Sequence, residues 1–567
     1  MSDSVAFTFD GRPLVGRRGE SLAAALIAAG VRSLRATRTG AERGIFCGMG
    51  VCQDCLVEVD GQANRRACMV KLDRSLTVRR EGFARETSRP ASAVLPRTAE
   101  DIPEETPEIL VVGAGPGGLS AAIAARRAGA KVTVLDERSL PGGQYFKQIA
   151  VDAGARTPAD AQHEEGRRLI AAARGLGVEI RSEVEIWGAF PPCSLAGTQD
   201  RTVRLFTPKR LIVATGAYER GVPIPGWTLP GVMTTGAAQT LWRSYRRLAG
   251  RRILVAGNGP LNLQVAAELA AGGAEITAVV ELAPVPALRL VAALAGMLRA
   301  SPRLVLEGLA YRWRLQRAGV PVLYGSAVTR IEPEREGLRV HVARSGANSA
   351  EREYSVDAVC LGYGFQPSNE LLRALGCEHN YDPDRDQLIT RLSPEEAGST
   401  SVPNVFALGD CTGLGGARMA LAQGTLAGLA AASELGYPIA GDLAAERIGA
   451  QQALGRHRNF QAALWRLYGA PRPGLGLATA HTILCRCEEV SVGQIEAALG
   501  EGCPSIGELK RTTRAGMGAC QGRYCGPILA ALMAERLGRL PDEELRFAPR
   551  VPVKPVDVAD LARPSPS

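Results

Sequence analysis

The sequence predicts an α/β fold with two parallel-sheet nucleotide-binding units and a small cysteine-rich domain near each end. Two βαβ patterns carry this prediction, one starting at Ile109 and the other at Arg252. Each pattern opens with an apolar, β-branched run, passes a glycine-rich turn and continues into an alanine-rich helix and a second strand. The third observation is a set of four cysteines at either end of the chain.

Length and composition limit the classes of protein that fit. At 567 residues the chain should form several domains, because single cores stop growing near about 300 residues. The net charge of +9 comes without a basic run interleaved with aromatic residues, so no nucleic-acid partner is expected. Neither a secretion signal nor an apolar stretch of membrane-spanning length is visible, which predicts a cytoplasmic protein that reaches a membrane only through partners. Thirteen cysteines then indicate metal ligands rather than disulfides.

The first βαβ unit has the spacing of a dinucleotide site. Gly113, Gly115 and Gly118 follow its first strand as G-x-G-x-x-G. The first glycine permits a tight turn, the second lets the backbone approach a pyrophosphate, and the third lets helix and strand pack closely. Asp136, followed by Glu137, ends the second strand, where an acid can hydrogen-bond a ribose hydroxyl. The glycines alone also fit a turn without ligand, but strand, helix, strand and acid in register predict dinucleotide binding.

The second βαβ unit departs from this pattern. Gly257 and Gly259 repeat the tight turn, but Asn262 stands at the third position. Asparagine is bulkier than glycine where helix and strand approach each other, which predicts poor pyrophosphate binding. Glu281 ends the second strand and favours NAD over NADP if a nucleotide binds. A scaffold without ligand and a site for NAD or another adenine nucleotide both remain open.

The N-terminal cysteines have the spacing of a plant-type [2Fe–2S] ligand set. Cys47, Cys52 and Cys55 stand as C-x₄-C-x₂-C, and Cys68 follows. Zinc is the main alternative, but its ligands usually come as two close pairs, and buried structural cysteines are the other. This section, predicted to be β-rich with one helix at 21–29, resembles the β-grasp-type ferredoxin domains of succinate dehydrogenase and molybdenum hydroxylases.

The C-terminal cysteines stand as C-x-C and, after a helical stretch, C-x₄-C. This set comprises Cys485, Cys487, Cys520 and Cys525. It resembles the helical [2Fe–2S] domain of bacterioferritin-associated ferredoxin, with zinc as the alternative. Nearby arginines and a lysine could offset the added charge of a reduced cluster. The remaining cysteines are outside both patterns and are expected to be ordinary small apolar residues: Cys193, Cys360, Cys377, Cys411 and Cys503.

Segments downstream of the first unit resemble the cofactor-contacting segments of two-dinucleotide-binding-domain flavoproteins of the glutathione-reductase type. The resemblance implies FAD in the first unit and the second unit inserted within the first domain. The positions that it assigns to the flavin are Gly143, Gln144, Val184, Thr215, Gly216, Gly409 and Asp410. The redox C-x₂-C of disulfide reductases is missing, because the C-x₂-C of this chain belongs to the N-terminal cysteine set.

These patterns divide the chain into eight segments. We predict the following order: a ferredoxin-like domain (1–84), a linker (85–107), the first part of the FAD domain (108–225), an inserted NAD(P)-binding-like domain (226–350), the second part of the FAD domain (351–440), a connecting region (441–480), the C-terminal cluster domain (481–545) and a proline-rich tail (546–567). The tail is expected to be extended and to lie along a partner.

This order of domains resembles the FAD and iron–sulfur α subunits of heteromeric amine dehydrogenases, which include opine oxidase or dehydrogenase, proline and hydroxyproline dehydrogenase, sarcosine oxidase and the hydrogen cyanide synthase complex. Two segments carry the resemblance most specifically, ATGAYERGVPIPGWTLPGVMTTGAAQ (214–239) and LKRTTRAGMGACQGRYC (509–525). In several relatives the ferredoxin is a separate small subunit, so this chain resembles a fusion of the two.

The resemblance implies an electron-relay subunit of an amine or imino-acid dehydrogenase of the opine, proline or hydroxyproline type. Substrate would be oxidised on a separate FAD subunit shaped like D-amino-acid oxidase, and electrons would leave to an external acceptor. Some relatives hold an FMN between these subunits, but no residue here assigns its site. The alternatives are a glycine-oxidising subunit of the hydrogen cyanide synthase type, a stand-alone NAD(P)H-dependent reductase of the ferredoxin type, and a docking module with a structural flavin. No catalytic residue is assigned.

Overall fold

The computed structural model describes residues 4–82, 102–150, 160–285, 290–344, 350–393, 397–470, 474–500, 502 and 505–562. Most of the predicted linker and Cys503 therefore lie outside the described residues. Among the described helices, none is both long enough and apolar enough to span a membrane.

The N-terminal domain is a five-stranded mixed sheet crossed by one helix, as predicted. Its strands lie in the order β2-β1-β7-β5-β6, with β1 and β7 parallel. The helix begins after Ser21, whose hydroxyl accepts a hydrogen bond from the amide of Ala24 at 3.2 Å. The elements are β1 (Ser4–Phe9), β2 (Arg12–Arg17), α1 (Leu22–Ala28), β3 (Arg35–Ala36), β4 (Glu42–Arg43), β5 (Leu56–Val59), β6 (Gln62–Arg66) and β7 (Thr77–Arg80).

The first nucleotide-binding domain is built on a parallel sheet whose first strand is fully buried, in keeping with its continuous apolar run. Its first part contains β8 (Glu104–Glu105), β9 (Ile109–Val112), α2 (Pro116–Ala128), β10 (Val132–Leu135), α3 (Ala161–Gly175), β11 (Glu179–Arg181), β12 (Glu185–Phe190), β13 (Ser194–Gln199), β14 (Thr202–Phe206), β15 (Arg210–Val213) and β16 (Ala217–Glu219). The sheet order is β11-β10-β9-β15. A second sheet, β12-β13-β14-β8, packs beside it.

The second unit is inserted after β16, as predicted. It contains β17 (Val232–Thr234), α4 (Thr235–Tyr245), β18 (Arg252–Gly257), α5 (Pro260–Ala271), β19 (Glu275–Glu281), α6 (Val291–Ala300), α7 (Pro302–Arg317), β20 (Val322–Tyr324), β21 (Ser326–Glu334), β22 (Gly337–Arg344), β23 (Arg352–Val356) and β24 (Ala358–Gly362). The parallel sheet has the order β17-β24-β18-β19-β20. The predicted end of the insert at residue 350 is wrong, because β24 pairs between two strands of this sheet.

The chain then completes the first domain and continues into the C-terminal helices. The elements are β25 (Phe365–Pro367), α8 (Glu370–Ala374), β26 (His379–Asp382), β27 (Gln387–Thr390), β28 (Val405–Ala407), α9 (Gly416–Glu434), α10 (Asp442–Leu467), β29 (Ile483–Cys485), β30 (Val490–Ser491), α11 (Val492–Gly500), α12 (Ile506–Thr513), α13 (Cys525–Leu537) and α14 (Val558–Leu561). Strand β28 pairs with β15 at the edge of the first sheet, so the first domain is split around the insert.

The predicted end of the linker at residue 107 is wrong, and the contact of the tail with a partner stays a prediction. The end of the predicted linker forms β8, which pairs with β14, so the flavin domain begins before residue 108. The proline-rich tail, over its described residues 546–562, packs on its own chain. The amide of Val553 donates to the carbonyl oxygen of Trp187 at 2.8 Å, and Arg201 pairs with Asp560 at 2.8 Å. These contacts hold the described part of the tail on the first domain.

Candidate functional site

The glycine turn of the first unit forms a cradle at the N-terminus of α2. Gly113 has a φ of +110°, and a Cβ there would lie 2.4 Å from the carbonyl oxygen of Ala214. A Cβ on Gly118 would lie 1.9 Å from the carbonyl oxygen of Gly113, so this glycine lets the helix pack on the turn. A Cβ on Gly115 would meet no atom nearer than the Cα of Gly143, at 3.9 Å, so there is space beside the helix N-terminus. This space fits a pyrophosphate.

Two acids follow the second strand of this unit. The Asp136 carboxylate accepts hydrogen bonds from the amides of Ala114 at 2.6 Å and Arg138 at 2.8 Å, and burial raises its pKa. Glu137 pairs with Lys554 of the tail. Burial acts to raise the pKa of Glu137, but the charges of Lys554 and Arg66 lower it. Both acids line the cavity at the glycine turn, and this placement does not single out one of them as the ribose contact.

The predicted flavin residues converge on one cavity of about 1380 Å³, apart from Gly118, whose role is packing. The cavity-lining members are Gly113, Gly115, Asp136, Glu137, Gly143, Gln144, Val184, Thr215, Gly216, Gly409 and Asp410. They come from loops at the carboxyl ends of neighbouring parallel strands, where open α/β sheets bind ligands. The order of these motifs along the chain could be read from the sequence, and the structure shows that they line one cavity.

Several of these residues are fixed by hydrogen bonds around the cavity. The Asp410 carboxylate accepts from the amides of Gly415 and Gly416 at 3.0 and 2.8 Å, which caps the start of α9. The Thr215 hydroxyl donates to the carbonyl oxygen of Ser368 at 2.6 Å. The amide of Val184 donates to the carbonyl oxygen of Asp136 at 2.9 Å, so it is already engaged within the protein.

The glycine turn of the inserted unit lies on the same cavity. Asn262 is buried against this turn: its Nδ2 would lie 2.7 Å from a Cβ on Gly257, its amide donates to the carbonyl oxygen of Gly362 at 2.9 Å, and its Oδ1 accepts from Thr235 at 3.0 Å. Glu281 is also buried, accepts from the amide of Gly259 at 3.1 Å, and has its pKa raised to about 7 by burial. The next residue, Leu282, lines the cavity and gives this cleft an apolar side chain.

The cavity is larger than the roughly 300–1,000 Å³ usual for one small-molecule site. It extends between the two glycine turns, and both cysteine-rich domains reach it. Met49 and Val51 of the N-terminal cysteine loop line it, as do Arg523 and Tyr524 of the C-terminal loop. The nucleotide cradle and both cysteine sets therefore share one space.

The structure adds two buried titratable residues that the sequence analysis did not assign. Lys147 donates to the carbonyl oxygen of Gln144 at 2.6 Å and to the side chain of Gln239 at 2.8 Å, and burial lowers its pKa to about 7. Glu219 accepts from the amide of Gly236 at 2.9 Å, and burial raises its pKa to about 7. Both line the cavity. Lys147 and Glu219 each follow a predicted flavin-binding glycine turn, at 142–143 and at 216, and this position could have identified them as cavity residues from the sequence.

Glu219→Gln should reveal this buried carboxyl through the pH dependence of stability. Because the pKa is raised in the folded protein, its stabilising contribution is complete below about 4.5 and is lost as the pH rises through about 7. The melting temperature of the variant relative to wild type should therefore rise between pH 5 and pH 8, by the equivalent of up to about 3 kcal/mol. A difference between Glu219→Gln and wild type that stays constant with pH would contradict the raised pKa of Glu219.

The N-terminal cysteines lie in two pairs, both buried. Cys47 hydrogen-bonds Cys52, and Cys55 hydrogen-bonds Cys68. Burial acts to raise the pKa of Cys47, but the bond from Cys52 and nearby backbone amides lower it to about 6. The amides of Met49 and Cys52 point to the Cys47 sulfur at 3.5 and 3.3 Å. Amides directed at sulfur are the surroundings that an iron–sulfur cluster requires.

The C-terminal cysteines also lie in two pairs, Cys485 with Cys525 and Cys487 with Cys520. A tetrahedral zinc site needs four ligands around one ion, whereas a [2Fe–2S] cluster takes two cysteines on each iron. The paired arrangement fits two irons at each end of the chain. The other described cysteines, Cys193, Cys360, Cys377 and Cys411, are buried.

Comparison with known families defines the class of protein. The model for pyridine nucleotide-disulphide oxidoreductases matches residues 107–426, which is more than half of the chain. A 2Fe-2S iron-sulfur cluster binding domain matches residues 2–82, and a BFD-like [2Fe-2S] binding domain matches residues 483–535. The protein is an FAD-dependent oxidoreductase with a [2Fe–2S] domain at each end. These matches confirm the predicted fold and favour iron–sulfur over zinc in both cysteine sets.

The relatives narrow the assignment. The chain is 34% identical to a subunit of opine oxidase from Rhizobium meliloti (strain 1021), over 81% of this chain and 99% of the relative. It is 33% identical to the HcnB subunit of hydrogen cyanide synthase from Pseudomonas aeruginosa, over 79% and 96%. The chain belongs to the pyridine nucleotide-disulphide oxidoreductase family, as a relative of these opine oxidase and hydrogen cyanide synthase subunits.

Two further matches span almost the entire chain. The sarcosine oxidase α subunit of Corynebacterium sp. (strain P-1) is 26% identical over 99% of this chain and 56% of its own length. An L-proline dehydrogenase from P. horikoshii has the same fold, with a TM-score of 0.72, 20% identity and coverage of 99% of this chain and 98% of the neighbour. The predicted resemblance to the family of amine-oxidising enzymes is confirmed.

Proposed function

We propose that this chain is the electron-transferring subunit of a heteromeric amine or imino-acid dehydrogenase of the opine, proline or hydroxyproline type. The observation that carries the proposal is the shared cavity, which touches the FAD cradle at Gly115 and both cysteine loops, at Met49 and Tyr524. Relatives named as opine oxidase and sarcosine oxidase subunits support the class of substrate. An FAD bound here supplies the conversion between two-electron and one-electron transfer.

The residues of the chain would prepare the cavity for this exchange. Gly115 and the N-terminus of α2 hold the pyrophosphate, and Asp410 fixes the loop beside α9. The eight paired cysteines hold the two iron–sulfur clusters. Lys147 and Glu219, each with a pKa near 7, can hold or release a proton within the cavity at neutral pH. The resulting role is electron relay from a partner to an external acceptor.

An exposed apolar face on α7 is our proposed docking surface for the partner, a substrate-oxidising flavoprotein subunit. Leu306, Leu309 and Trp313 are 63%, 60% and 57% exposed and share one side of the helix. Leu309 also lines the shared cavity, so a partner seated here would adjoin the cofactor space. Helix α7 carries four arginines and one glutamate, which favours a partner with an acidic rim.

The isolated chain should not oxidise opines, proline, hydroxyproline, sarcosine or glycine with dichlorophenolindophenol as acceptor, because the proposal places substrate oxidation on the partner subunit. Activity should appear when the chain is co-expressed with its flavoprotein partner. Turnover by the isolated chain at the rate of the complex would contradict the proposed dependence on a partner. If the complex oxidises glycine and none of the other substrates tested, this result would favour the hydrogen cyanide synthase type.

Charge inserted into the α7 face tests the docking surface within the same experiment. Leu309→Glu and Trp313→Glu should reduce co-purification of the partner and the dye-linked rate, with iron and FAD content unchanged. Leu540→Glu is the matched control, because Leu540 is 64% exposed and lies beyond α13. Normal assembly of both α7 variants would place the partner elsewhere.

A stand-alone NAD(P)H-dependent reductase is the second candidate, because the glycine turn of the insert adjoins the same cavity. We expect NADH and NADPH to reduce the flavin slowly or not at all. The reason is that Glu281 is buried and, unlike Asp136 of the first unit, is not among the residues that line the cavity, so it is not presented to a ribose there. Anaerobic stopped-flow mixing is the measurement. Flavin bleaching within a fraction of a second would favour the reductase, whereas an adenine nucleotide bound without reduction is compatible with the relay.

A further inference from the structure

A buried ion pair joins the two cysteine loops. Asp54 lies inside the N-terminal C-x₂-C, and Arg486 lies inside the C-terminal C-x-C. Their side chains are 0% and 4% exposed, and the Nη2 and Nε atoms of Arg486 lie 2.7 and 2.8 Å from Oδ2 of Asp54. Arg35 approaches the other carboxylate oxygen at 3.3 Å. Two residues 432 positions apart thus form the contact between the metal-binding segments.

Aromatic rings enclose the guanidinium of Arg486. Its central carbon lies 3.7 Å from the ring centroid of Phe46 and 4.6 Å from that of Trp227. Its Nη1 donates to the carbonyl oxygen of Trp227 at 2.7 Å, and the indole of Trp227 donates to the carbonyl oxygen of Ile483 at 2.6 Å. The arginine is therefore held in one position by rings on two sides and by hydrogen bonds to Asp54 and Trp227.

The same aromatic group extends from one cysteine set to the other. Phe46 precedes Cys47, Tyr524 precedes Cys525, and their ring centroids are 5.3 Å apart. The two loops are thus in direct side-chain contact.

The need to hold the two cysteine-rich domains together does not by itself explain why a buried ion pair, Arg486–Asp54, lies between them. Contacts at the rim already join them: Glu489 accepts from Thr37 at 2.6 Å and from Thr39 at 2.8 Å. A buried ion pair is also a poor source of stability, because desolvation of both charges offsets their attraction. Fixed charges beside a cluster, however, directly alter its affinity for an electron.

We propose that Arg486 and Asp54 are a positioning pair that holds the two iron–sulfur sites against each other and balances the charge felt by both. One electron would then pass from the reduced cluster to its oxidised neighbour without a proton. The biological meaning of this coupling rests on the proposed relay function, but the coupling itself is a property of this chain. It can be measured with neither partner nor amine substrate.

Potentiometric titration of the full chain, followed by electron paramagnetic resonance, tests the pair. Asp54→Asn leaves the arginine unopposed, so both clusters should become easier to reduce. Arg486→Gln leaves the carboxylate with Arg35 as its remaining close arginine, so both should become harder to reduce. Arg486→Lys keeps the charge, and the double variant Asp54→Asn/Arg486→Gln removes both charges. The reduction potentials of these two variants should stay nearer to the wild-type values than those of Asp54→Asn or Arg486→Gln alone.

The spectra of the fully reduced wild type should show magnetic interaction between the two clusters, and Cys520→Ser should abolish it. Arg391→Gln is the control, since Arg391 is 64% exposed and pairs with Glu378, which is 58% exposed, outside both cysteine sets. If Arg486→Gln fails to assemble its clusters, the reduction potentials of Asp54→Asn and Arg486→Lys still test the proposal. Unchanged potentials, shifts of equal sign in the two single variants, or no magnetic interaction would overturn the proposal.

Discussion

Cys520→Ser should lower the iron content from about four to about two atoms per chain while the flavin absorbance stays unchanged. Cys520 shares its pair with Cys487, so serine removes one ligand from one iron and the C-terminal cluster is lost. The N-terminal set lies in a separate sheet domain, with its own buried loop, and should retain its cluster. Iron and acid-labile sulfide analysis of anaerobically purified protein measures both values.

The reciprocal variant and a control complete this experiment. Cys52→Ser should remove the N-terminal cluster and leave the C-terminal one. Cys193→Ala, which changes a buried cysteine of the flavin domain outside both sets, should keep about four irons. Two irons with one zinc in the wild type would contradict the paired two-iron arrangement at one end of the chain.

Gly115→Val should abolish FAD binding while the protein remains folded. A Cβ at this position meets no protein atom nearer than 3.9 Å, and the φ of −77° is open to any residue, so the substitution fits the protein itself. The added methyl groups would occupy the space at the N-terminus of α2 that the pyrophosphate needs. We expect affinity to fall at least about 100-fold, the equivalent of about 2.8 kcal/mol.

The measurement is the FAD content after purification, followed by titration of the apoprotein with FAD. Gly175→Ala is the matched control, because it adds a methyl group on α3 where no atom lies within 4 Å. Iron content and circular dichroism should match wild type in both variants. Full FAD occupancy in Gly115→Val would place the pyrophosphate away from this turn.

The sequence by itself determined the local chemistry. The spacing of Gly113, Gly115 and Gly118 reflects steric demands within one βαβ unit, and the structure places each glycine where those demands exist. The eight cysteines could be sorted into two sets because the ligands of each proposed cluster lie within a short stretch of the chain. The helix that Ser21 caps was equally readable, since capping is an interaction over three residues. Short-range constraints of this kind leave a pattern in the sequence.

The tertiary structure alone decided what depends on contacts between distant segments. Asn262 could be recognised in the sequence as a bulky residue at the turn, but its hydrogen-bond partners Gly362 and Thr235 are both far away in sequence. The insert extends past residue 350 because the chain first forms the three-stranded sheet β21-β22-β23 and only then returns as β24 to the parallel sheet of the insert. The tail folds back because its partners are on the first domain. The Arg486–Asp54 pair joins positions at opposite ends of the chain. Such contacts carry no spacing pattern, because the fold rather than the local chain brings their members together.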